Sequence, residues 1–381
     1  MAFGYYVPVT GSSANSGGGG ALSNFPIVIF GGDAGFPAGL ATDLKTVANG
    51  GKVQSANGYD IRPYADSSLS TALNFELVTY NASDGTKFEM HVNCGTGASQ
   101  VTSSADWPVY IALGDSGISS DGSSNTTWSS DYLTVLHTGD GTTVSTTDSS
   151  QSSANFTNTG STPATAGQLG GGASFNGSSQ RFSRANYAVP STGTMSCWWN
   201  PGADPTTTNM IAFRICVPGS TYVDMNSYPI SSVGYLYAGW YGSGSNEKRV
   251  IWTESGFNQG TWYHVVITWT NGGTTTLYVD GSSKGTTSSL NATWDTSGRT
   301  GYIGYDENAG LWFVEKIDEY RLSNVAKSAA WVTAERNNQK ASQNLLSFGS
   351  TTAVGGGRTT KNTRSAPLGV EVGMNWRGQA A

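Results

Sequence analysis

Three carboxylates stand within five residues in the run Glu315-Lys316-Ile317-Asp318-Glu319. Paired carboxylates are what glycoside hydrolysis requires, one acid on each side of the scissile bond. Same-face positions on a strand lie two apart. By that rule Glu315 and Glu319 share a face with apolar Ile317 between them, and Asp318 points the other way. This spacing does not set two acids side by side, so we expect a chain that binds or builds and does not catalyse. The other reactive side chains are sparse. Cys94, Cys197 and Cys216 are odd in number and too few for a disulfide scaffold. Cys197 and Cys216 could pair across adjacent strands, or all three could stay reduced and buried. His91, His137 and His264 each fall on or beside an expected strand. No cysteine or acid stands at metal-ligand spacing from them, and we read all three as structural.

The aromatic residues offer the remaining chemistry. Trp198, Trp199, Trp240, Tyr241, Trp252 and Trp312 exceed what a small core needs, and exposed rings can stack on sugar CH faces while Asn and Asp orient hydroxyls. Consecutive Trp198 and Trp199 must point to opposite faces of a strand, which places one of them outside the core. Trp240 and Tyr241 repeat the pattern. Trp199, Trp240, Tyr241 and Trp252 are therefore the candidate carbohydrate contacts.

The elements that must hold these residues are strands. In 261–270, Tyr263, Val265, Ile267 and Trp269 form one apolar face. Asn271-Gly272-Gly273 supplies the positive φ of a hairpin, and the returning strand ends in Asp280-Gly281. Composition agrees with an all-β chain. With 381 residues, 37% of them hydrophobic, it can bury two cores, and 51 glycines imply many short strands joined by turns. A net charge of −6 argues against nucleic acid, whose phosphates need a basic surface. No apolar run is long enough to cross a bilayer as a helix.

The ordered series Trp262-Tyr263-His264-Val265, Leu277-Tyr278-Val279-Asp280-Gly281, Gly301-Tyr302-Ile303-Gly304 and Ile317-Asp318-Glu319-Tyr320-Arg321 resembles the second half of a laminin-G-like, concanavalin A-type β-sandwich. Gly170-Gly171-Gly172-Ala173-Ser174-Phe175-Asn176-Gly177 is similar to its early strand. The first third, with Asn24 to Ile29, Gly58 to Arg62, Phe75 to Tyr80 and Trp107 to Ile111, resembles the uncharacterised β-domain that precedes such sandwiches in bacterial and phage surface proteins. The departure is a missing tryptophan in 87–92. The resemblance implies a concanavalin A-like jelly roll over 121–340, preceded by a smaller β-sandwich over 1–120, with a short helix near 327–336 closing the second domain. It also implies a calcium ion at the sandwich rim, for which Asp280 and Asp318 are the candidate ligands, with Asp295 and Asp306 near other strand ends. Hydrogen-bonded turn aspartates are the competing reading. No other cofactor is expected.

Residues 341–381 are rich in Ser, Thr, Gly and Asn. We expect an extended tail that adds little to either core and makes assembly contacts through Phe348, Leu368, Met374 and Trp376. The start, Met1 to Tyr6, lacks the basic and apolar regions of a secretory signal. The expected function is that of a structural component of a phage virion, in capsid decoration or in a tail or fibre, displaying a lectin-like domain for adhesion. Its partners would be other virion proteins, copies of itself and glycans. The alternative is a bacterial surface or secreted carbohydrate-binding protein without catalytic activity.

Overall fold

Strand Tyr263–Trp269 shows how the pattern becomes a layer. Val265, Ile267 and Trp269 enter the core between two sheets, while Val266 on the opposite face packs with Tyr278 and Val332. The computed structural model describes residues 3–139, 141–187, 190–202, 210–216, 222–230, 233–241, 248–253, 258–288, 300–307 and 310–355. Within them the chain is all-β, with two α-helices, Ala38–Asp43 and Ala329–Gln339. None is long and apolar enough to cross a membrane.

The larger sandwich is a jelly roll of two antiparallel sheets. One runs Thr157–Thr159, Arg181–Ala185, Thr300–Ile303, Met210–Cys216, Tyr222–Ile230, Val233–Tyr241, Lys248–Thr253 in spatial order. The other runs Ala164–Ala166, Gly171–Asn176, Val314–Ser323, Gly193–Pro201, Tyr263–Trp269, Thr274–Val279, Ser282–Ser288, and Tyr132–Leu136 also pairs with Val314–Ser323. The two-residue turn Asp280-Gly281 has φ of 50° and 77°, the left-handed pair that matches strand twist.

The smaller sandwich also has two sheets. In one, Tyr5–Gly11 lies between Leu346–Phe348 and Trp107–Leu113, with Arg62–Tyr64 beyond. In the other, Phe88–Asn93 is central between Pro26–Phe30 and Phe75–Tyr80. In the stretch 87–92, where the expected tryptophan is missing, Phe88 is buried in the core. Phe88, Met90 and Val92 face this domain's core, which leaves Glu89, His91 and Asn93 on the other face; all six are buried.

That second face is covered by the neighbouring sandwich and by helix Ala329–Gln339. Ser328 caps the helix, its hydroxyl accepting from Trp331 N at 3.2 Å. Ala330, Trp331 and Ala334 enter the smaller core, and Val332 packs on the larger sandwich. Asn338 satisfies the edge of Pro26–Phe30, taking Val28 N–H at 2.6 Å and giving a bond to Val28 O at 3.0 Å.

The expected extended tail is corrected over 341–355. Leu346–Phe348 and Thr352–Ala353 both pair with Tyr5–Gly11, Leu345 and Leu346 are buried in the smaller core, and Phe348 meets Phe36 at 5.2 Å between ring centroids. The short strand Leu346–Phe348, preceded by buried Leu345, extends the sheet beside Tyr5–Gly11. Phe348 thus makes an intramolecular contact, and Leu368, Met374 and Trp376 lie outside the described residues.

Candidate functional site

A β-bulge organises the chemistry. Along Val314–Ser323 the pairing with Gly193–Pro201 slips between Ser196 and Trp198, and Glu319 takes a φ of 51°. Ile317 faces the intersheet core, and so do Tyr320 and Leu322. The extra residue turns both Asp318 and Glu319 to the outer face. This overturns the expectation that Glu315 and Glu319 share a face. Glu315 is buried beside the core tryptophan Trp199, whose Nε1 donates to its Oε2 at 2.7 Å. Glu319 faces the seam, with one oxygen bonded to His137 and the other 4.0 Å from His91 of the smaller domain.

There Glu319 joins a buried ionic network. His137 Nδ1 donates to Glu319 Oε1 at 2.6 Å, and His137 Nε2 lies 3.4 Å from Glu76 Oε2. His91 Nε2 donates to Glu89 Oε1 at 3.0 Å, with the two imidazole rings 4.5 Å apart. Arg321 bridges Glu319 and Glu335, each at 2.6 Å, and lies over the Trp128 ring at 4.9 Å. His264 Nε2 is 3.5 Å from the other oxygen of Glu335. The Glu76 carboxylate also accepts from Trp128 Nε1 and from Ser149 Oγ, both at 2.6 Å.

The charge states follow from these contacts. Burial opposes ionisation of Glu76, yet His137 and the bonds from Ser149 and Trp128 hold its carboxyl down to about 2. Burial also opposes charging His137, but Glu319 and Glu76 outweigh it and raise the imidazole well above its ordinary value. His91 is pushed down by burial and by His137 beside it, so it stays neutral. Burial works against Glu319, and His137 and Arg321 prevail, holding it below the usual carboxylate range. Asp318 is pushed well up by burial and by the Glu319 charge, although Leu169 N at 2.8 Å and Glu319 N at 2.7 Å donate to it.

The histidines were expected to be isolated. Instead Glu89, His91, His137 and Glu319 place ligand atoms all within 4.8 Å of one another. Sequence spacing misses this because Glu89 and His91 share one strand, Glu319 lies on another far along the chain, and His137 follows the end of a third. One signal was present: Glu89 and His91 alternate with Phe88, Met90 and Val92 on a strand whose polar face proves to be covered.

The expected sugar contacts fare differently. Trp199 is 0% exposed and belongs to the intersheet core. Trp198, on the opposite face, is buried too, its Nε1 donating to Gln339 Oε1 at 2.8 Å and its ring tilted against His264 at 5.2 Å. The strand is covered on both faces, by the facing sheet and by the helix, so consecutive rings need no solvent. Trp252 packs partly buried on the core with Lys284 Nζ 4.5 Å over its ring. Trp240 and Tyr241 lie on Val233–Tyr241, and their side chains fall outside the described residues.

The described aromatic surface lies elsewhere. Tyr305 and Trp312, both half-buried, sit 4.3 Å apart on a small hairpin, and the Arg181 guanidinium lies 4.7 Å and 5.3 Å from their ring centroids. Asp280 and Asp318 are not brought together. Asp280 accepts from His264 N at 3.1 Å, while Asp318 is engaged by Thr138, Leu169 and Glu319, and neither belongs to the cluster of potential ion ligands. Cys94 and Cys197 are free buried thiols; Cys197 and Cys216 sit on strands of different sheets, so the cross-strand disulfide does not form.

Glu315 yields a pH test. Burial pushes its carboxyl well above the usual range, with only the Trp199 bond opposing. An acid whose pKa rises on folding holds more protons in the native chain than in the unfolded one. Above about pH 4.5 it therefore lowers stability by up to about 1.4 kcal/mol per pH unit, until the folded pKa is passed. Glu315→Gln keeps an oxygen for Trp199 and removes that slope. We expect the variant to melt progressively higher than the parent between about pH 5 and 8. Parallel melting curves would mean that Glu315 is ionised in the fold.

Comparison with known proteins places the larger sandwich. Residues 176–333 match the family model described as the concanavalin A-like lectin/glucanases superfamily. A search of curated proteins finds no match. Among solved structures, domain 4 of AbnA, a GH43 extracellular arabinanase from Geobacillus stearothermophilus, in complex with arabinotriose, is similar at 19% identity and a TM-score of 0.42, over 53% of this chain and 97% of that one. The native heptameric SAP-like pentraxin of Limulus polyphemus is similar at 16% identity and a TM-score of 0.33, over 45% of this chain and 86% of that one. The botulinum neurotoxin serotype D binding domain is similar at 13% identity and a TM-score of 0.43, over 55% of this chain and 52% of that one.

Proposed function

We propose that this protein is a non-catalytic, carbohydrate-binding structural protein that displays its concanavalin A-like sandwich for adhesion. The observation that carries the reading is the half-buried pair Tyr305 and Trp312 crossed by Arg181, on the sandwich whose sequence matches the lectin/glucanase superfamily. Two rings set at 41° with a guanidinium beside them offer an apolar face and hydrogen-bond donors to one sugar ring. The non-catalytic reading is supported by burial: Glu315 is enclosed beside Trp199, and Asp318 and Glu319, which share the outer face, are covered at the seam and bonded to Leu169 and His137, so none of the three flanks an open substrate position.

The finer placement, in a phage virion as a capsid decoration or as part of a tail or fibre, rests on the resemblance of the first third to the β-domain of bacterial and phage surface proteins. Mass spectrometry of purified particles tests it; the chain recovered only from a bacterial surface or culture supernatant would favour the alternative. For the binding reading, Trp312→Ala is expected to weaken the glycan found on an array by about fivefold or more, roughly 1 kcal/mol, with a small change in melting temperature because the ring is half-buried. Trp199→Ala would instead cost roughly 3–5 kcal/mol of stability. An array without any ligand for the intact chain would remove the carbohydrate reading.

A further inference from the structure

Around the seam cluster the four side chains form a closed ring, with Glu319 contributing both of its oxygens. His91 Nε2 to Glu89 Oε1 is 3.0 Å, Glu89 Oε1 to His137 Nδ1 is 3.9 Å, His137 Nδ1 to Glu319 Oε1 is 2.6 Å, and Glu319 Oε2 to His91 Nε2 is 4.0 Å. A tetrahedral ion with bonds of about 2.0–2.1 Å holds its ligands roughly 3.3–3.4 Å apart, in the middle of that range. Two imidazoles with two carboxylates suit zinc and its first-row neighbours better than calcium, which takes six to eight oxygens.

Three further observations favour a dication. The carboxyl groups of Glu76, Glu89, Glu319 and Glu335 converge on this network, whose side chains include a single guanidinium, that of Arg321. The outer contacts that orient metal ligands are already in place: His137 Nε2 faces Glu76, and Arg321 holds Glu319. The His91 ring is fully buried, and its Nδ1 has no partner. The cluster also borders an opening at one of its four side chains, His137. His137 and Glu76 line a cleft of about 330 Å³ whose walls carry Thr143, Ser145, Thr147 and Ser149.

We propose that Glu89, His91, His137 and Glu319 form a four-coordinate site for a zinc-class divalent ion that pins the two sandwiches together. The ion replaces protons in a balanced way. His137 gives up its Nδ1 proton to solvent and keeps Nε2–H on Glu76, while the His91 proton moves from Nε2 to the unpartnered Nδ1. Net release is about one proton per ion, which buffer-dependent calorimetric heats read directly.

The test uses the tag-free full chain, stripped with chelator and titrated with zinc. We expect saturation at one ion per chain and a melting rise of roughly 5 °C at a hundredfold excess over Kd. Cobalt in place of zinc should give the visible bands of a four-coordinate ion. His91→Gln and Glu89→Gln should each abolish the zinc-dependent rise, and calcium should not produce it. A flat zinc titration of the parent chain overturns the proposal whether or not the variants fold. Zinc uptake unchanged in folded His91→Gln, or a response to calcium alone, overturns it equally.

Discussion

Arg321→Ala is expected to cost about 3–5 kcal/mol of stability and to loosen the seam between the two sandwiches. Arg321 is 2% exposed and is the cation shared by Glu319 and Glu335. Removing it leaves Glu319 with His137 as its close cation and Glu335 with only His264 at 3.5 Å, two buried carboxylates short of the group they share, and the Trp128 ring loses the guanidinium that lies over it. The loss comes from stranding charges, not from the intrinsic worth of a salt bridge, since a well-packed apolar replacement of a whole buried network can be neutral. Urea unfolding of the variant measures it, and a loss below about 1 kcal/mol would mean that the seam is wet. The same network sets an acid limit. Glu76, Glu319 and Glu335 all have depressed pKa values, so their contribution is complete above about pH 4.5 and is withdrawn as pH falls toward about 2.

Ending the chain after Lys340 is expected to unfold the smaller sandwich, the reverse of what the composition of 341–381 implies. Leu345 and Leu346 are 0% and 6% exposed in that core, and truncating one buried leucine costs about 2–5 kcal/mol. Both are lost together, along with the strand pairing Val9 to Phe348, Thr10 to Ser347 and Gly11 to Leu346. Against a total stability of about 5–15 kcal/mol, that is decisive for a small domain. Hydrogen exchange should show Tyr5–Gly11 and Trp107–Leu113 unprotected in this variant, while a chain ending at Gly355 retains every described contact. Full protection in the shorter chain would return 341–355 to the role of a dispensable tail.

How far the sequence could be read depended on the range of the interaction. The hairpin through Asn271-Gly272-Gly273, the turn Asp280-Gly281 and the apolar face of Tyr263–Trp269 are local, set by φ preferences and a period of two, and the fold realises them. Helix Ala329–Gln339 was anticipated within a few residues through the family resemblance, and the structure adds the local reason for its start, the Ser328 cap. The assignment of Trp199 to sugar failed because period two tells which residues oppose each other, not what covers each face.

What the amino-acid order determined by itself was the all-β class and the local strand and turn pattern of the larger sandwich. Each follows from interactions between residues close in the chain. Only the tertiary structure decided the face on which Glu319 lies, because a single bulge residue at positive φ inverts the alternation. It also decided that His91 and His137 share a buried site with Glu89 and Glu319, and that 341–355 completes the first sheet. Those outcomes depend on which surfaces two domains bury against each other, and a polar residue bound for solvent and one bound for a covered seam read alike until that surface is closed.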